Sequence, residues 1–166
     1  WSKVEVPMLT CSNWGGQGLH PRGNFEAYTQ SASKNKWLEV HGKEHWTEFY
    51  TDYGVEIQKL FFGYFLKGED NGWDKRPKVQ LQVRHPGEKF VERFEKDWPL
   101  PSTEWSKFHL DFDNMSLGTS TIGNVQNVSY DPMGDGVTLT TKPLEKEIEI
   151  TGPMAAKLFV SSESVD

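Results

Sequence analysis

The sequence is short of cysteine, of basic charge and of long apolar runs. A single cysteine in 166 residues, Cys11, cannot close an internal disulfide. That argues against a disulfide-stapled scaffold and favours a reducing, cytoplasmic setting. No stretch approaches the roughly 18 consecutive apolar residues of a membrane helix, so no membrane partner is expected. The 18 Lys and Arg are outnumbered by 24 Asp and Glu, for a net charge of −6. The cations are interleaved with acids, which argues against a nucleic-acid partner.

Several catalytic signatures are missing too. There is no G-x-S-x-G nucleophile elbow. The nearest string, Gly118-Thr-Ser120-Thr-Ile-Gly123, is one residue too long and reads as a surface turn. The glycine-rich Trp14-Gly-Gly-Gln-Gly-Leu-His-Pro-Arg22 lacks the Lys-Ser/Thr of a P-loop and the spacing of a dinucleotide fingerprint. His41 and His45 stand four apart, but Gly42 follows His41 where a helical metalloprotease motif needs Glu. Neither a metal nor a cofactor is expected. Cys11 reads as a small buried residue rather than a nucleophile.

What is present suits a folded, turn-rich module. Aromatics make up 13% and include seven Trp, while 36% hydrophobic content, 15 Gly and 9 Pro point to β structure with many turns. The mean hydropathy of −0.66 is polar.

Residues 1–67 read as strand and helix in alternation. Val4 to Ser12 is a short apolar run, and Asn24 is placed to cap a helix from Phe25. Lys36 to Val40 is a second strand. Ile57, Leu60, Phe61, Tyr64 and Phe65 fall on one face of a helix starting near Asp52 and stopped by Gly68. This order predicts part of a parallel sheet with crossover helices, whose remaining strands would lie upstream. Residues 71–77 form a polar, Gly- and Pro-bearing linker within Gly68–Pro77. Beyond it the apolar period becomes two: Val79, Leu81 and Val83 alternate with Gln80, Gln82 and Arg84. Further strands are expected at 89–94, 105–111, 124–130, 137–141, 145–151 and 156–161, the spacing of a sandwich or jelly roll. Unpaired sheet edges would let the chain self-associate as a homo-oligomer.

The segment Trp37-Leu-Glu-Val-His-Gly-Lys-Glu-His45-Trp-Thr-Glu-Phe-Tyr50 carries the chemistry. An apolar run ends at a glycine, His45 follows, and a helix starts soon after. A histidine so placed serves as a general base when a Ser Oγ sits on one side and a carboxylate on the other. The plainer reading is a loop histidine. Trp14, Trp37, Trp46, Phe49 and Tyr50 either line an apolar substrate cleft or pack the core. No Asp or Glu lies between Glu5 and Glu26, so the loop after the first strand carries no acid.

Several strings resemble the cocaine-esterase and X-Pro dipeptidyl-peptidase-like serine hydrolases, the CocE/NonD group. They are Val6-Pro-Met-Leu with Asn13-Trp14, Val40-His-Gly-Lys-Glu-His45, Phe61-Phe-Gly-Tyr-Phe-Leu-Lys-Gly68, Asp97-Trp-Pro-Leu-Pro101 leading to Phe108-His-Leu110, and Glu147-Ile-Glu-Ile-Thr-Gly-Pro153. The resemblance implies α/β plus all-β architecture. Residues 1–70 would be the carboxy-terminal part of an α/β-hydrolase domain, and 78–166 an incomplete jelly-roll β-sandwich. It implies a serine hydrolase acting on ester, amide or X-Pro peptide substrates, with His45 as triad histidine and Trp14 and Trp46 at the substrate. The nucleophile would lie in an upstream remainder of the same protein, leaving this fragment alone inactive. Gly16 occupies the position matching the family's triad Asp, which implies that another acid, such as Glu26 or Glu44, orients the histidine, that the base works less well, or that this branch has lost the activity. The competing expectation is a non-catalytic β-sandwich binding or assembly module.

Overall fold

The computed structural model describes residues 1–16 and 19–163. Two compact units are present, one comprising Trp1–Pro101 with residues 152–163, the other Ser102–Thr151.

The first unit is built on a four-stranded sheet in the order β1-β2-β3-β4. Strands β1 (Met8–Asn13) and β2 (Lys36–His41) run parallel, with register from Met8↔Lys36 to Asn13↔His41. Both strands therefore end at the same level. Strand β3 (Val79–His85) continues the sheet parallel to β2, pairing Leu38↔Val79 and Val40↔Leu81. Strand β4 (Lys89–Glu95) returns antiparallel on β3. The third parallel strand thus comes from Val79–His85, which the sequence assigned to the sandwich, and the sheet runs on across residues 71–77.

Alternation along β2 sends successive side chains to opposite faces. Leu38 and Val40 pack with Val79, Leu81 and Tyr28 of helix α1 (Pro21–Gln30), together with Trp98 and Leu100. Trp37 packs on the other face with Ile57 and Phe61 of helix α3 (Asp52–Lys67) and with Trp73. Leu38, Val40, Val79 and Leu81 are all buried, each worth about 1.5–3 kcal/mol relative to exposure.

Helix α3 matches its periodicity. Ile57 and Phe61 are buried, Leu60, Tyr64 and Phe65 pack against them, and Gly68 ends the helix at φ 69°. Helix α1 starts three residues before the expected cap. Pro21 opens it with a φ already suited to the first turn, and Asn24 sits inside, its Oδ1 accepting from Thr10 Oγ1 at 2.9 Å. A local capping pattern therefore gave way to a proline and a tertiary hydrogen bond. Strand β3 also departs from simple alternation, because Gln80 is buried with its apolar neighbours. Its amide is satisfied there by Arg76 at 3.1 Å and Glu92 at 2.6 Å.

The second unit holds a two-stranded antiparallel sheet of β5 (His109–Asp111) and β6 (Ser116–Gly118). Gln126 braces its turn, accepting from Phe112 N at 2.7 Å and donating to Asp113 at 2.8 Å. Of the strands expected further on, 137–141 reduces to a bridge between Ser116 and Thr140. Among the described residues, 124–130, 145–151 and 156–161 form none. Their alternation is present, but Val125, Ile150 and Phe159 stay exposed, and a strand needs a hydrogen-bonded neighbour as well as a pattern.

Candidate functional site

His45 begins the short helix α2 (His45–Phe49), just beyond the carboxyl end of β2. The turn after β1 lies beside it: the Trp14 amide donates to the His41 carbonyl at 3.0 Å, tying the two strand ends together. The His45 ring is exposed and lies 4.6 Å from that of His20, with Trp46 edge-on at 4.7 Å. Gly15, Gly16, Leu19, His20, Glu44, His45 and Trp46 line a hollow of about 190 Å3.

Among the described residues no carboxylate hydrogen-bonds His45. Glu44 accepts from Thr47 Oγ1 at 3.2 Å, and Glu26 is engaged by Gln30. The glycine at 16 has a local physical reason. Its amide donates to the Asn13 side chain, and a Cβ there would stand 2.7 Å from Asn13 Oδ1 and 3.3 Å from His20. The turn that tethers this loop therefore fills the space an aspartate would need.

The aromatic residues separate into different roles. Trp46 stays exposed at the hollow. Trp14 is half-buried: its ring stacks on Phe25 at 5.9 Å and its indole N–H donates to the Gln82 carbonyl at 2.6 Å. Trp14 also lines a second hollow, of about 300 Å3, with Gly15, Gly42, Lys43, Arg84 and Phe90 among its walls. Trp37 is a core residue beneath α3, and Phe49 and Tyr50 are exposed.

A buried polar cluster lies on the α3 side of the sheet. The Glu39 carboxylate receives His41 Nδ1 at 3.0 Å and the Tyr53 hydroxyl at 3.3 Å. Since a carboxylate only accepts, Nδ1 carries the proton. Cys11, the register partner of Glu39, also turns its thiol to it. Cys11 is exposed at the edge of the sheet rather than buried as expected, yet desolvation of its thiol, followed by the nearby Glu39 charge, pushes its pKa up to about 12. Burial, then Glu39, likewise raises the Tyr53 phenol. His41 resembles an acid-held base, but it is buried and its Nε2 meets no partner among the described residues. It also lines neither hollow. This makes it part of the frame that ends β2. Among the described residues no three metal-donor side chains converge, and no helix is long and apolar enough to cross a membrane.

Sequence reasoning passed over His20, Gln82 and Phe90. His20 sits in a Leu-His-Pro string that reads as a turn. Gln82 occupies a polar position of an alternating strand, where solvent is the simplest destination. Only the fold brings all three to the ends of β1 and β2.

Comparison with known proteins places these features. The profile of the X-Pro dipeptidyl-peptidase C-terminal non-catalytic domain matches residues 71–166. The chain is 30% identical over 149 residues to the cocaine esterase of Rhodococcus sp. (strain MB1 Bresler), covering 66% of this chain and 25% of that protein. It is 39% identical to a CocE/NonD family hydrolase from Staphylococcus aureus in two crystal structures, each superposing with a TM-score of 0.67. The first match covers 73% of this chain and 22% of that one. The chain thus spans about a quarter of the length of these relatives, and it belongs to the family of the X-Pro dipeptidyl-peptidase C-terminal domain, in the form related to CocE/NonD hydrolases.

Proposed function

We propose that the intact protein is a serine hydrolase of ester or amide bonds, X-Pro peptides included, and that His45 is its general base. The observation that carries this is the position of His45, at the start of α2 beside the turn after β1. In open α/β sheets, ligands bind beyond the carboxyl ends of the strands. On this reading an α/β-hydrolase domain runs past the expected linker at residues 71–77 to take in β3 and β4, a jelly-roll sandwich follows it, and the nucleophile lies upstream.

The chemistry follows from that position. His45 takes the proton of a serine hydroxyl as its oxygen attacks the acyl carbon, then delivers it to the departing alcohol or amine. Water repeats the sequence, and the serine leaves with its proton restored. Backbone N–H donors at the oxyanion contribute about 3–4 kcal/mol each in such sites. Trp46, exposed beside His45, offers an apolar wall to the acyl or leaving group. Activity in a cytoplasmic setting and a homo-oligomeric state are part of the same proposal.

The test is turnover of p-nitrophenyl esters and X-Pro-anilides by the full-length protein and its His45→Ala variant. The substitution is expected to lower kcat by about four orders of magnitude or more; unchanged turnover would rule out the role.

A second reading has its own support. The profile matching residues 71–166 describes a non-catalytic domain, which suits a binding or assembly module in a relative without activity. Full-length protein that turns over no ester or anilide but retains glycans in an affinity screen would favour it.

A further inference from the structure

We infer that the β3–β4 hairpin positions the histidine loop, with Gln82 as the positioning residue and Phe90 as its backstop. The inference rests on the reading of His45 as the base. It reaches into the 71–166 region, which is matched by a domain described as non-catalytic.

The loop from Gly42 to Glu44 joins the last residue of β2 to His45, so its path sets where the imidazole stands. Its first amide is anchored by the hairpin: Gly42 N donates to Gln82 Oε1 at 2.9 Å, across 40 positions of sequence. The same residue holds the neighbouring loop, since the Gln82 carbonyl accepts the Trp14 indole N–H at 2.6 Å. Gln82 is therefore bonded to both loops that flank His45, one through its side chain and the other through its main chain.

Phe90, on β4, pairs with Arg84 and so shares the face of the hairpin that carries Gln82. A Cβ at position 42 would stand 2.5 Å from the Phe90 ring, so the ring lies directly against the Gly42 backbone. The loop is pulled by a hydrogen bond and stopped by an aromatic face. The bond is half-buried, and losing its acceptor would leave the Gly42 amide without a partner where water only partly reaches it.

Displacements of about 1 Å at a reacting group cost roughly 100-fold in rate. Loss of the anchor should therefore appear in kcat rather than in substrate binding.

The experiment uses the full-length protein with p-nitrophenyl butyrate, comparing wild type, His45→Ala, Gln82→Leu, Gln82→Asn and Gln82→Glu well below each melting temperature. Gln82→Leu is expected to lower kcat about 10- to 100-fold with KM nearly unchanged. Gln82→Glu keeps an oxygen at the same reach and should restore most of the rate. A purely structural role would lower the melting temperature and the active fraction, without rescue confined to the acceptor-bearing variant. If Gln82→Leu does not fold, Gln82→Asn, one methylene short of Gly42, is read in its place. Wild-type kcat in the acceptor-less variant, or a loss that Gln82→Glu does not repair, overturns the inference while leaving His45 in place. Unchanged turnover in His45→Ala overturns the base assignment and this inference with it.

Discussion

His41 Nδ1 lies 3.0 Å from Glu39 Oε2, two residues back along β2 and on the same face of the sheet. The carboxylate also accepts from Tyr53 at 3.3 Å, so a single buried acid ties β2 to α3. Removing the acid strands both of these donors together with the Cys11 thiol, whereas removing one donor strands little. Glu39→Leu is therefore expected to cost about 2–4 kcal/mol, and Tyr53→Phe about 1 kcal/mol. Urea denaturation of the three proteins checks the ordering. Equal losses would mean that Glu39 is not the hub.

The Cys11 thiol should be inert in the native protein. Its pKa is pushed from 9.0 to about 12 by desolvation and then by Glu39, and the thiolate is the reactive form. Alkylation by iodoacetamide at pH 8 should run about two to three orders of magnitude slower than in the urea-unfolded chain. The same shift has a consequence for stability. Between 9.0 and about 12 the folded state keeps a proton that the unfolded state has lost, so stability held below pH 9 declines as pH rises through that range. The raised phenols of Tyr28 and Tyr53 act in the same direction. Cys11→Ala should flatten the decline in denaturation midpoint, and a slope identical to wild type would contradict it.

Restoring a carboxylate by Gly16→Asp should not build a better site. The new Cβ would meet Asn13 Oδ1 at 2.7 Å, forcing out the side chain that holds the Gly16 amide. A loss of about 1–3 kcal/mol with no gain in ester turnover is expected. Faster turnover at an unchanged melting temperature would show that the turn yields easily.

Two glycines should respond in opposite directions to alanine. At Gly54 a Cβ would run into the Glu48 and Phe49 carbonyls, main-chain atoms that cannot swing aside. Gly54→Ala should cost about 1–3 kcal/mol as the turn between α2 and α3 opens. Gly23, inside α1, meets nothing within 4 Å, so Gly23→Ala should gain about 0.5–1 kcal/mol. Paired thermal melts provide the comparison.

The isolated chain should associate at high concentration. β1 and β4 are the edge strands of the four-stranded sheet, and unpaired strand edges pair with other chains. Light scattering that reports a monomer throughout the concentration series would contradict this.

The helix from Asp52 was legible because its five apolar residues repeat at 3.6, and tertiary packing agreed with the period. The paired strands Met8–Asn13 and Lys36–His41 were legible for a similar reason, as short apolar runs closed by turn residues. The partner of β2 was not, because alternation in Val79–Val83 records which faces are covered and says nothing about the neighbouring strand. The same limit explains the expected strands beyond residue 124, where the pattern lacked a partner. The position of His45, beyond the end of a strand and at the start of a helix, was legible. That of Gln82 was not, since its contact with Gly42 spans 40 positions and depends on the parallel pairing of β2 with β3.

That pairing bears on how the protein can be dissected and recombined. The matched region begins at residue 71, yet β3 lies hydrogen-bonded beside β2. A chimera joined at residue 71 would inherit its Gly42 from one parent and its Gln82 from another. Compatibility at that seam, rather than the quality of either half, would then decide whether the hybrid works.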